Sequence, residues 1–528
     1  MPQYQGEDNW NYIIFDGFQG GLQTTVEPNK IPDNASPDMQ NIVFDGGNSF
    51  QPRYGTSAFG ETSANYGAIS SMYNFKHSNG TEYMMRTYDT VVEYYDAVNS
   101  AWANVQSGFT AAKPFGFATY AIDDKVFFGN ATNATQEWNG TSCREVSAVS
   151  RGNIFLAHES RLVVTGLSAA PNSIYYSKAG DPTDFTGTIS ATAGDGGIQK
   201  FGAEGDSIKS LKQWNNKILI GKPDTLWTFE FELDYSNLGE TPIAKPLITS
   251  ESVGPSTNTS TIGVDNIMSW VTETKKIKAL SESTVEDVLS FQNISDAIEP
   301  TLNTLNFAKA AGIYFDRKIF LACRETAAAF NNVVLVYDMK YNAWTKFTGW
   351  NVGAWVVWNN ELYYGDSQIT KTYKALTGRN DATYNIESDW LSKEIDFGFP
   401  QINKVAYELY IEGYLTSNTS IDIDLYKNGN TDDSIFHKTL TGADDSVDTT
   451  SSVAFGERQY GELALGGSTQ PASIGNKFRQ KYEIPQDEFH SVQIKISSNG
   501  DGQIYRITHI GFYIKLEDER VFKVSAFN

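Results

Sequence analysis

Histidine and cysteine are the residues of this sequence best suited to bind a transition metal or to act as a nucleophile. They are His77, His158, His437, His490 and His509, with Cys143 and Cys323. No two of them show the spacing of a metal motif such as HExxH, and the cysteines lie 180 positions apart. The sequence therefore predicts no metal site and no disulfide, and it predicts buried apolar roles for both cysteines. His509 lies in an alternating segment and is expected to pack as an ordinary sheet residue.

Paired carboxylates are the next candidates, because glycosidases use two of them. Three Asp-Asp pairs occur, Asp123-Asp124, Asp432-Asp433 and Asp444-Asp445. Neighbouring residues on a strand point to opposite faces, so no such pair forms a catalytic dyad by itself. Aspartate is also common in turns, and we interpret the three pairs as turn and loop residues.

Three further patterns suggest a ligand only weakly. The loop 194–197 is rich in glycine but lacks the Lys-Ser/Thr of a phosphate-binding loop, and 499–502 lacks the twelve-residue calcium pattern with its terminal glutamate. The Asn-x-Thr triplets at Asn130, Asn133 and Asn139 are interpreted as turns. The sequence thus predicts no catalytic, cofactor-binding or metal-binding residue, no cofactor and no enzyme activity.

Composition indicates an all-β protein. Aromatic residues make up 13% of the 528 residues and there are 44 glycines, a mixture typical of many short strands joined by tight turns. The 63 acidic and 41 basic residues give a net charge of −22. Such a surface disfavours wrapping nucleic acid, but it is compatible with a wide passage through which DNA slides, and also with solubility alone. We expect no membrane span and no secretory signal.

A short strand pattern repeats along the middle of the chain. A polar residue followed by three or four apolar ones starts at positions 125, 161, 217, 318 and 361, with a weaker copy at 267. This spacing is close to the roughly 40–50 residues of a four-stranded propeller blade. We therefore predict a β-propeller over residues 67–380, with seven blades and six as the alternative.

A second repeat supports the propeller. Tyr95-Asp96 and Tyr337-Asp338 each end an apolar strand, and a tryptophan follows each aspartate after six residues, at Trp102 and Trp344. We interpret both as hairpins in which the aspartate caps the turn and the tryptophan packs between blades. The segment 295–305 breaks the β pattern and is predicted to be a short helix on a blade connection.

The two flanks of the propeller differ from it and from each other. Residues 1–66 are irregular and proline-rich, and we predict an extended N-terminal arm that packs on something larger. Residues 381–528 contain the strictly alternating segments 421–425 and 492–496, separated by a polar tract over 428–475. Alternation of this kind predicts antiparallel sheets with one wet face, and hence a C-terminal β-sandwich.

Four stretches give the chain a resemblance to a known family. They are residues 18–55 with the segments FQGGL, PDNASPDMQNIVFDGG and PRYG; residues 171–185; residues 208–229; and the hairpin 337–344, continuing through Trp390 and 397–400 to Lys404. In content and order they resemble the propeller-containing tail nozzle or hub proteins of tailed bacteriophages, which include packaged-DNA stabilisation proteins. The polar tract 428–475 departs from the pattern of the short-tailed phages.

The resemblance implies a virion protein, made in the host cytoplasm and built into the phage tail. It implies a ring of six copies below the portal and adaptor proteins that retains packaged DNA and opens on host contact. Propeller loops would then form the gate, and the arm would clamp neighbouring subunits. The alternative is a host-surface, glycan-binding module of a tail or fibre. A propeller glycosidase would need a cluster of inward carboxylates that the sequence does not supply.

Overall fold

The computed structural model describes residues 4–5, 10–60, 67–186, 195–202, 206–234, 239–248, 253–264, 267–282, 289–442 and 475–516. The chain forms two compact units. The propeller unit comprises Ala58–Val336 and Trp350–Ala375, and the sandwich unit comprises Met1–Ser57, Tyr337–Gly349 and Leu376–Asn528. The part of the predicted arm up to Ser57 therefore shares a unit with the C-terminal region, whereas the sequence suggested three successive parts.

Short strands occupy the first sixty residues. They are β1 (Tyr4–Gln5), β2 (Trp10–Phe15), β3 (Gly21–Leu22), β4 (Ala35–Ser36), β5 (Asp38–Gln40), β6 (Ile42–Phe44), β7 (Phe50–Pro52) and β8 (Thr56–Phe59).

The propeller prediction is confirmed, with seven four-stranded sheets in the described part of the chain. The first three are β9 (Ile69–Lys76), β10 (Glu82–Tyr88), β11 (Val91–Asp96) and β12 (Ala101–Ser107); β13 (Gly116–Tyr120), β14 (Lys125–Gly129), β15 (Gln136–Trp138) and β16 (Cys143–Glu145); and β17 (Ile154–His158), β18 (Arg161–Thr165), β19 (Ser173–Tyr176) and β20 (Gly197–Lys200). The next two are β21 (Ser210–Trp214), β22 (Lys217–Gly221), β23 (Leu226–Asp234) and β24 (Gly239–Ile248); and β25 (Ile262–Val264), β26 (Ile267–Val271), β27 (Ile277–Glu282) and β28 (Leu289–Asn293). The last two are β29 (Leu305–Phe315), β30 (Lys318–Glu325), β31 (Val333–Asp338) and β32 (Ala343–Thr348); and β33 (Val352–Trp358), β34 (Glu361–Asp366) and β35 (Thr372–Ala375), completed by β8.

The innermost strands close into a ring. The first strand of each blade contacts the first strand of the next, and β33 contacts β9. The seventh sheet takes its fourth strand, β8, from the chain before the first blade. This arrangement joins the last blade to the beginning of the propeller by strand pairing, which decides the count in favour of seven blades rather than six.

The repeated strand pattern marks one position in the blade. Its copies at 125, 161, 217, 267, 318 and 361 are β14, β18, β22, β26, β30 and β34, the second strands of blades 2 to 7. Second strands have a partner on each side and neighbouring blades on both faces. That environment favours a continuous apolar run.

The hairpin repeat also forms as predicted. Asp96 Oδ1 accepts hydrogen bonds from the backbone N–H of Val98 (2.9 Å) and Asn99 (3.3 Å) in the turn between β11 and β12. Asp338 Oδ1 accepts one from Lys340 (3.0 Å) in the corresponding turn between β31 and β32. Trp102 packs with residues of blades 1 and 7, as expected for a residue between blades.

The helix predicted over 295–305 is present but short. A 3₁₀ turn at Asp296–Ile298 leads into α1 (Glu299–Asn303), on the connection from β28 to β29. Ser295 does not cap it. Its hydroxyl accepts the N–H of Ile277 instead (2.9 Å), so this serine serves the neighbouring strand.

Two antiparallel sheets and the short parallel pair β3–β4 form the described part of the sandwich unit. The remaining strands are β36 (Ser388–Leu391), β37 (Lys404–Leu415), β38 (Ser420–Lys427), β39 (Phe436–Thr441), β40 (Asn476–Glu483), β41 (Glu488–Phe489), β42 (Val492–Ser498) and β43 (Tyr505–Leu516). One sheet has the order β1-β2-β43-β37-β40, with β41 beside β37 and the pair β6–β7 beside β43; the other has the order β39-β38-β42-β36-β5. The apolar residues of the alternating segments are buried, as predicted, at Ile421, Ile423, Leu425, Ile494 and Ile496.

The N-terminal strands are part of these sheets. β2 pairs with β43 from Trp10↔Lys515 to Phe15↔Ile510, and β5 pairs with β36. The arm predicted to pack on something larger therefore pairs with strands of its own chain.

Candidate functional site

The histidines lie on different elements and form separate, local contacts. His77 Nδ1 is 2.8 Å from Asp124 Oδ2, and His437 Nδ1 is 2.8 Å from Asp424 Oδ1. His158 is buried, and this burial lowers its pKa. His509 is half-buried in β43, as expected for a sheet residue. Within the described ranges no three His, Cys, Asp or Glu residues are grouped so as to hold a metal ion.

Neither cysteine is poised for nucleophilic chemistry. Cys323 is fully buried in β30 and Cys143 is half-buried at the blade 1–2 core. Burial raises the pKa of both thiols, that of Cys143 to about 11, with nearby Glu137 adding to the effect. Because the thiolate is the reactive species, both side chains stay protonated and unreactive at neutral pH.

The carboxylate pairs serve turns where the structure describes them. Asp124 lies in the β13–β14 turn with φ 56° and accepts hydrogen bonds from the backbone N–H and the hydroxyl of Ser78. Asp432 and Asp433 are exposed, and Asp444 and Asp445 lie outside the described residues.

The sequence patterns that suggested a ligand only weakly also form local structural contacts. Asn130 and Asn139 accept backbone N–H groups two and three residues ahead, as turn residues do. In the segment 499–502, Asp501 accepts a hydrogen bond from Asn380 (2.5 Å). The carbonyl oxygen of Asp195 accepts a hydrogen bond from the buried Arg161 (3.0 Å), so this residue serves a structural contact rather than phosphate binding.

A buried arginine joins distant segments of the sandwich unit. The guanidinium of Arg53 is fully buried and binds the Asp381 carboxylate at two points, Nη1–Oδ1 2.9 Å and Nη2–Oδ2 2.5 Å. It also donates to the carbonyl of Thr348 (2.6 Å) and to Asn41 Oδ1 (2.8 Å). Paired hydrogen bonds of this kind are among the strongest that a protein forms. We call these residues, Asn41, Arg53, Thr348 and Asp381, the arginine tie.

Asn41 extends the tie. Its Nδ2 donates to Thr348 Oγ1 (3.0 Å) and to the carbonyl of Glu387 (2.6 Å), and its Oδ1 also accepts the N–H of Thr348 (2.9 Å). Gly55 allows the backbone of Asn380 to approach closely, because a Cβ at position 55 would lie 1.9 Å from the carbonyl oxygen of Asn380. Apart from the PRYG motif, no sequence feature indicates this network, because Asn41 and Arg53 lie some 300 positions from Thr348 and Asp381.

An aromatic cluster lies between the two sheets of the sandwich unit. Phe50 stacks on Trp390 with ring centroids 4.9 Å apart, and Phe18 meets Trp390 edge-on at 5.3 Å. The hydroxyls of Ser388 and Tyr505 are 3.0 Å apart and join the same two sheets. Phe18, Phe50 and Trp390 all lie at or within the stretches that carry the family resemblance.

A second charged cluster lies on β37 and β40. Glu412 pairs with Lys477 (2.8 Å) and Arg479 (3.0 Å), and it accepts a 2.5 Å hydrogen bond from Tyr410. Burial opposes ionisation of Glu412, but the hydrogen bonds from Lys477, Tyr410 and Arg479 outweigh it and lower its pKa to about 2.

This lowered pKa predicts a pH-dependent stability. Because the folded-state pKa lies below the unfolded value, ionised Glu412 stabilises the fold above about pH 4.5 and loses this effect as the pH falls towards 2. We expect the stability advantage of the natural protein over Glu412→Gln, about 3 kcal/mol at pH 6, to shrink steadily between pH 4.5 and 2. Urea unfolding across this range measures it. The more exposed Glu408→Gln, which loses the Lys481 pair, is the control, and an equal pH trend in both variants would contradict the assignment.

The propeller unit contains a cavity at one mouth of its channel. Its volume is about 800 Å³ and it is lined by residues from all seven blades, at or next to the starts of the innermost strands. The hydrogen-bonding side chains are mostly small: Ser70, Asn153, Ser168, Ser207, Ser256, Thr257, Asn258, Thr259, Asn331 and Ser367. Lys209, Lys309 and Asp89 are the charged residues of the described lining. We call this cavity the channel mouth.

The size of the channel mouth restricts what it can hold. It falls within the roughly 300–1,000 Å³ of small-molecule sites. A DNA duplex, whose major groove alone is about 12 Å wide, does not fit it.

Comparison with known proteins finds no match in sequence and distant similarity in structure. No protein-family model matches the sequence, and no curated protein sequence matches it. Among solved structures, similar ones include the β-propeller domain of Cps50 (Swd1) from Myceliophteria thermophila, with 8% identity and a TM-score of 0.41 over 61% of this chain and 99% of that one. YCF48 bound to D1 peptide has 8% identity and a TM-score of 0.38, covering 64% of this chain and 100% of that one. YCF48 from Cyanidioschyzon merolae has 8% identity and a TM-score of 0.36, covering 61% and 98%. At these values the likeness carries no functional argument.

Among the described residues, no helix is long and apolar enough to cross a membrane.

Proposed function

We propose that this protein is a structural component of a bacteriophage tail. In this role copies of the chain form a ring that continues the DNA channel below the portal and adaptor proteins. The ring retains packaged DNA and releases it on host contact. The protein would be made in the host cytoplasm and act in the virion tail, and six copies are the number that the resemblance implies.

The proposal is supported most by where the residues that carry the family resemblance lie in the fold. Stretch 18–55 contributes Phe18, Asn41, Phe50 and Arg53, and the last stretch contributes Trp390; these residues belong to the arginine tie or to the aromatic cluster beside it. Lys404, where that last stretch ends, is also buried and donates to three backbone carbonyls, of Phe399, Ile402 and His490. Residues that serve internal bonds rather than a reaction support a structural role for this protein in the virion.

The net charge of the protein and the size of the channel mouth are both compatible with a DNA passage formed between subunits. The channel mouth is too small for a duplex, so DNA would pass along the axis of the ring instead. The net charge of −22 gives such a passage little attraction for phosphate. Contact with DNA would then be transient and independent of sequence.

Electron microscopy of the purified full chain, together with mass photometry, tests the ring. We expect ring-shaped particles with a central opening and a mass near six times 58.5 kDa. Antibody labelling of virions should place the protein at the tail. A chain that stays monomeric at micromolar concentration and is missing from virions would refute the proposal.

A host-surface glycan-binding module is the second candidate. The observation in its favour is the channel mouth, a cavity of small-ligand size whose lining includes several hydroxyl and amide side chains. A monomer that binds glycans and does not assemble would favour this candidate over the ring.

A further inference from the structure

The channel mouth differs in charge from the protein as a whole. The chain carries 63 acidic and 41 basic residues, yet the described lining of the mouth contains two lysines, Lys209 and Lys309, and one acid, Asp89. Lys309 is exposed and Lys209 half-buried, so both can meet a ligand. A local excess of cations in an acidic protein favours an anionic group at this place.

The mouth also holds buried polar atoms that lack a partner. Asn331 is 3% exposed, and its Nδ2 donates to the carbonyls of Lys309 (2.9 Å) and Val352 (2.8 Å). Its Oδ1 has no hydrogen-bond partner, and neither has the hydroxyl of Ser256, which also lines the cavity. Because both Asn331 donors are engaged, Oδ1 is fixed as an acceptor. Both atoms are closed off from water, so they belong to the wall of the cavity and lie out of reach of a ligand.

The remaining lining narrows the ligand class. Side-chain hydroxyls and amides, from Ser207, Thr257, Asn258 and others, are suited to sugar hydroxyls, which both donate and accept. Phe330 is half-buried at the same cavity and offers an apolar ring face. A cavity of about 800 Å³ has room for one or two sugar rings.

We propose that the channel mouth binds a carboxylate-bearing sugar, with Lys209 and Lys309 pairing with the carboxylate and Ser207, Thr257 and Asn258 meeting the sugar hydroxyls. This site goes beyond the proposed ring, since it gives the propeller a recognition role of its own. It does not depend on assembly, because every lining residue belongs to the propeller unit of one chain.

Saturation-transfer NMR and calorimetry on the full chain test the site with three probes: glucuronic acid, glucose and inorganic phosphate. We expect glucuronic acid to bind, and glucose and phosphate to bind at least tenfold more weakly. The double variant Lys209→Met/Lys309→Met should lose roughly tenfold or more in affinity for glucuronic acid, as expected for lost charge-assisted hydrogen bonds.

Lys278→Met is the matched control, because Lys278 lies on β27 away from the mouth. It should leave binding unchanged, and all variants should keep the unfolding temperature of the natural protein. Absence of glucuronic acid binding, phosphate binding as tight as that of the sugar, or equal loss in the control would each overturn the proposal. None of these outcomes bears on ring formation, which electron microscopy tests separately.

Discussion

Replacing Asp381 by alanine is expected to destabilise the sandwich unit by about 3–5 kcal/mol. The reason is the fully buried guanidinium of Arg53, which would lose its only carboxylate in the arginine tie and could not reach water. A buried charge left unpaired costs far more than the net contribution of the pair. Hydrogen exchange of the β37 and β43 peptides under increasing urea reports the unfolding free energy of this unit directly.

The exposed pair Lys427–Asp487 provides the control for this measurement. Its side chains are 38% and 53% exposed, and Asp487→Ala should cost no more than about 0.5–1 kcal/mol. The double variant Arg53→Met/Asp381→Ala should be less destabilised than the sum of its single changes, because neither charge is then stranded. Equal effects of Asp381→Ala and Asp487→Ala would show that the tie is not what holds these segments.

Replacing Trp270 by alanine is expected to cost the propeller unit about 3–5 kcal/mol. Trp270 is 1% exposed in β26 and packs in a cluster with Trp214, Leu219, Leu226, Met268 and Leu280, which joins blades 4 and 5. The indole Nε1 also donates to the carbonyl of Val253 (2.6 Å). Truncation leaves a large cavity between two blades and an unpaired carbonyl.

Trp270→Phe separates these two losses. Phenylalanine keeps most of the ring contacts and removes the N–H, so it should cost about 1–2 kcal/mol. Exchange of the β22 and β26 peptides is the measurement. If phenylalanine were as damaging as alanine, the hydrogen bond rather than the packing would dominate at this position.

Repeats with a local physical cause were predictable from the sequence. The apolar runs starting at Lys125, Arg161 and Lys217 are second strands, and burial on both faces leaves no place for a polar residue in their middle. The second strand of blade 1 lacks this apolar run. This strand, β10, contains Arg86, which is fully buried, and a single sequence gives no sign that an arginine will be paired inside. Arg86 binds Glu93 (2.8 Å), seven residues ahead on β11.

Long-range pairing was not predictable. Arg53 and Asp381 are 328 positions apart, and neither residue type nor local spacing indicates that they meet. The same holds for Asn331 at the channel mouth, whose two donors bond to carbonyls about 21 residues away on either side. Turn residues such as Asp96 and Asn139 were predictable because their partners lie within three positions.

The pairing of β2 with β43 has a consequence for how the protein is made. Trp10 pairs with Lys515, so β2 cannot complete its sheet until about 500 further residues have been synthesised. At 5–20 residues per second this interval is roughly 25–100 s. The seventh blade waits as well, since β8 is synthesised long before β35. During translation the backbone N–H and C=O groups of the amino-terminal strands stay unpaired until β43 has been made. A chaperone that covers these strand edges should therefore raise the yield of folded protein.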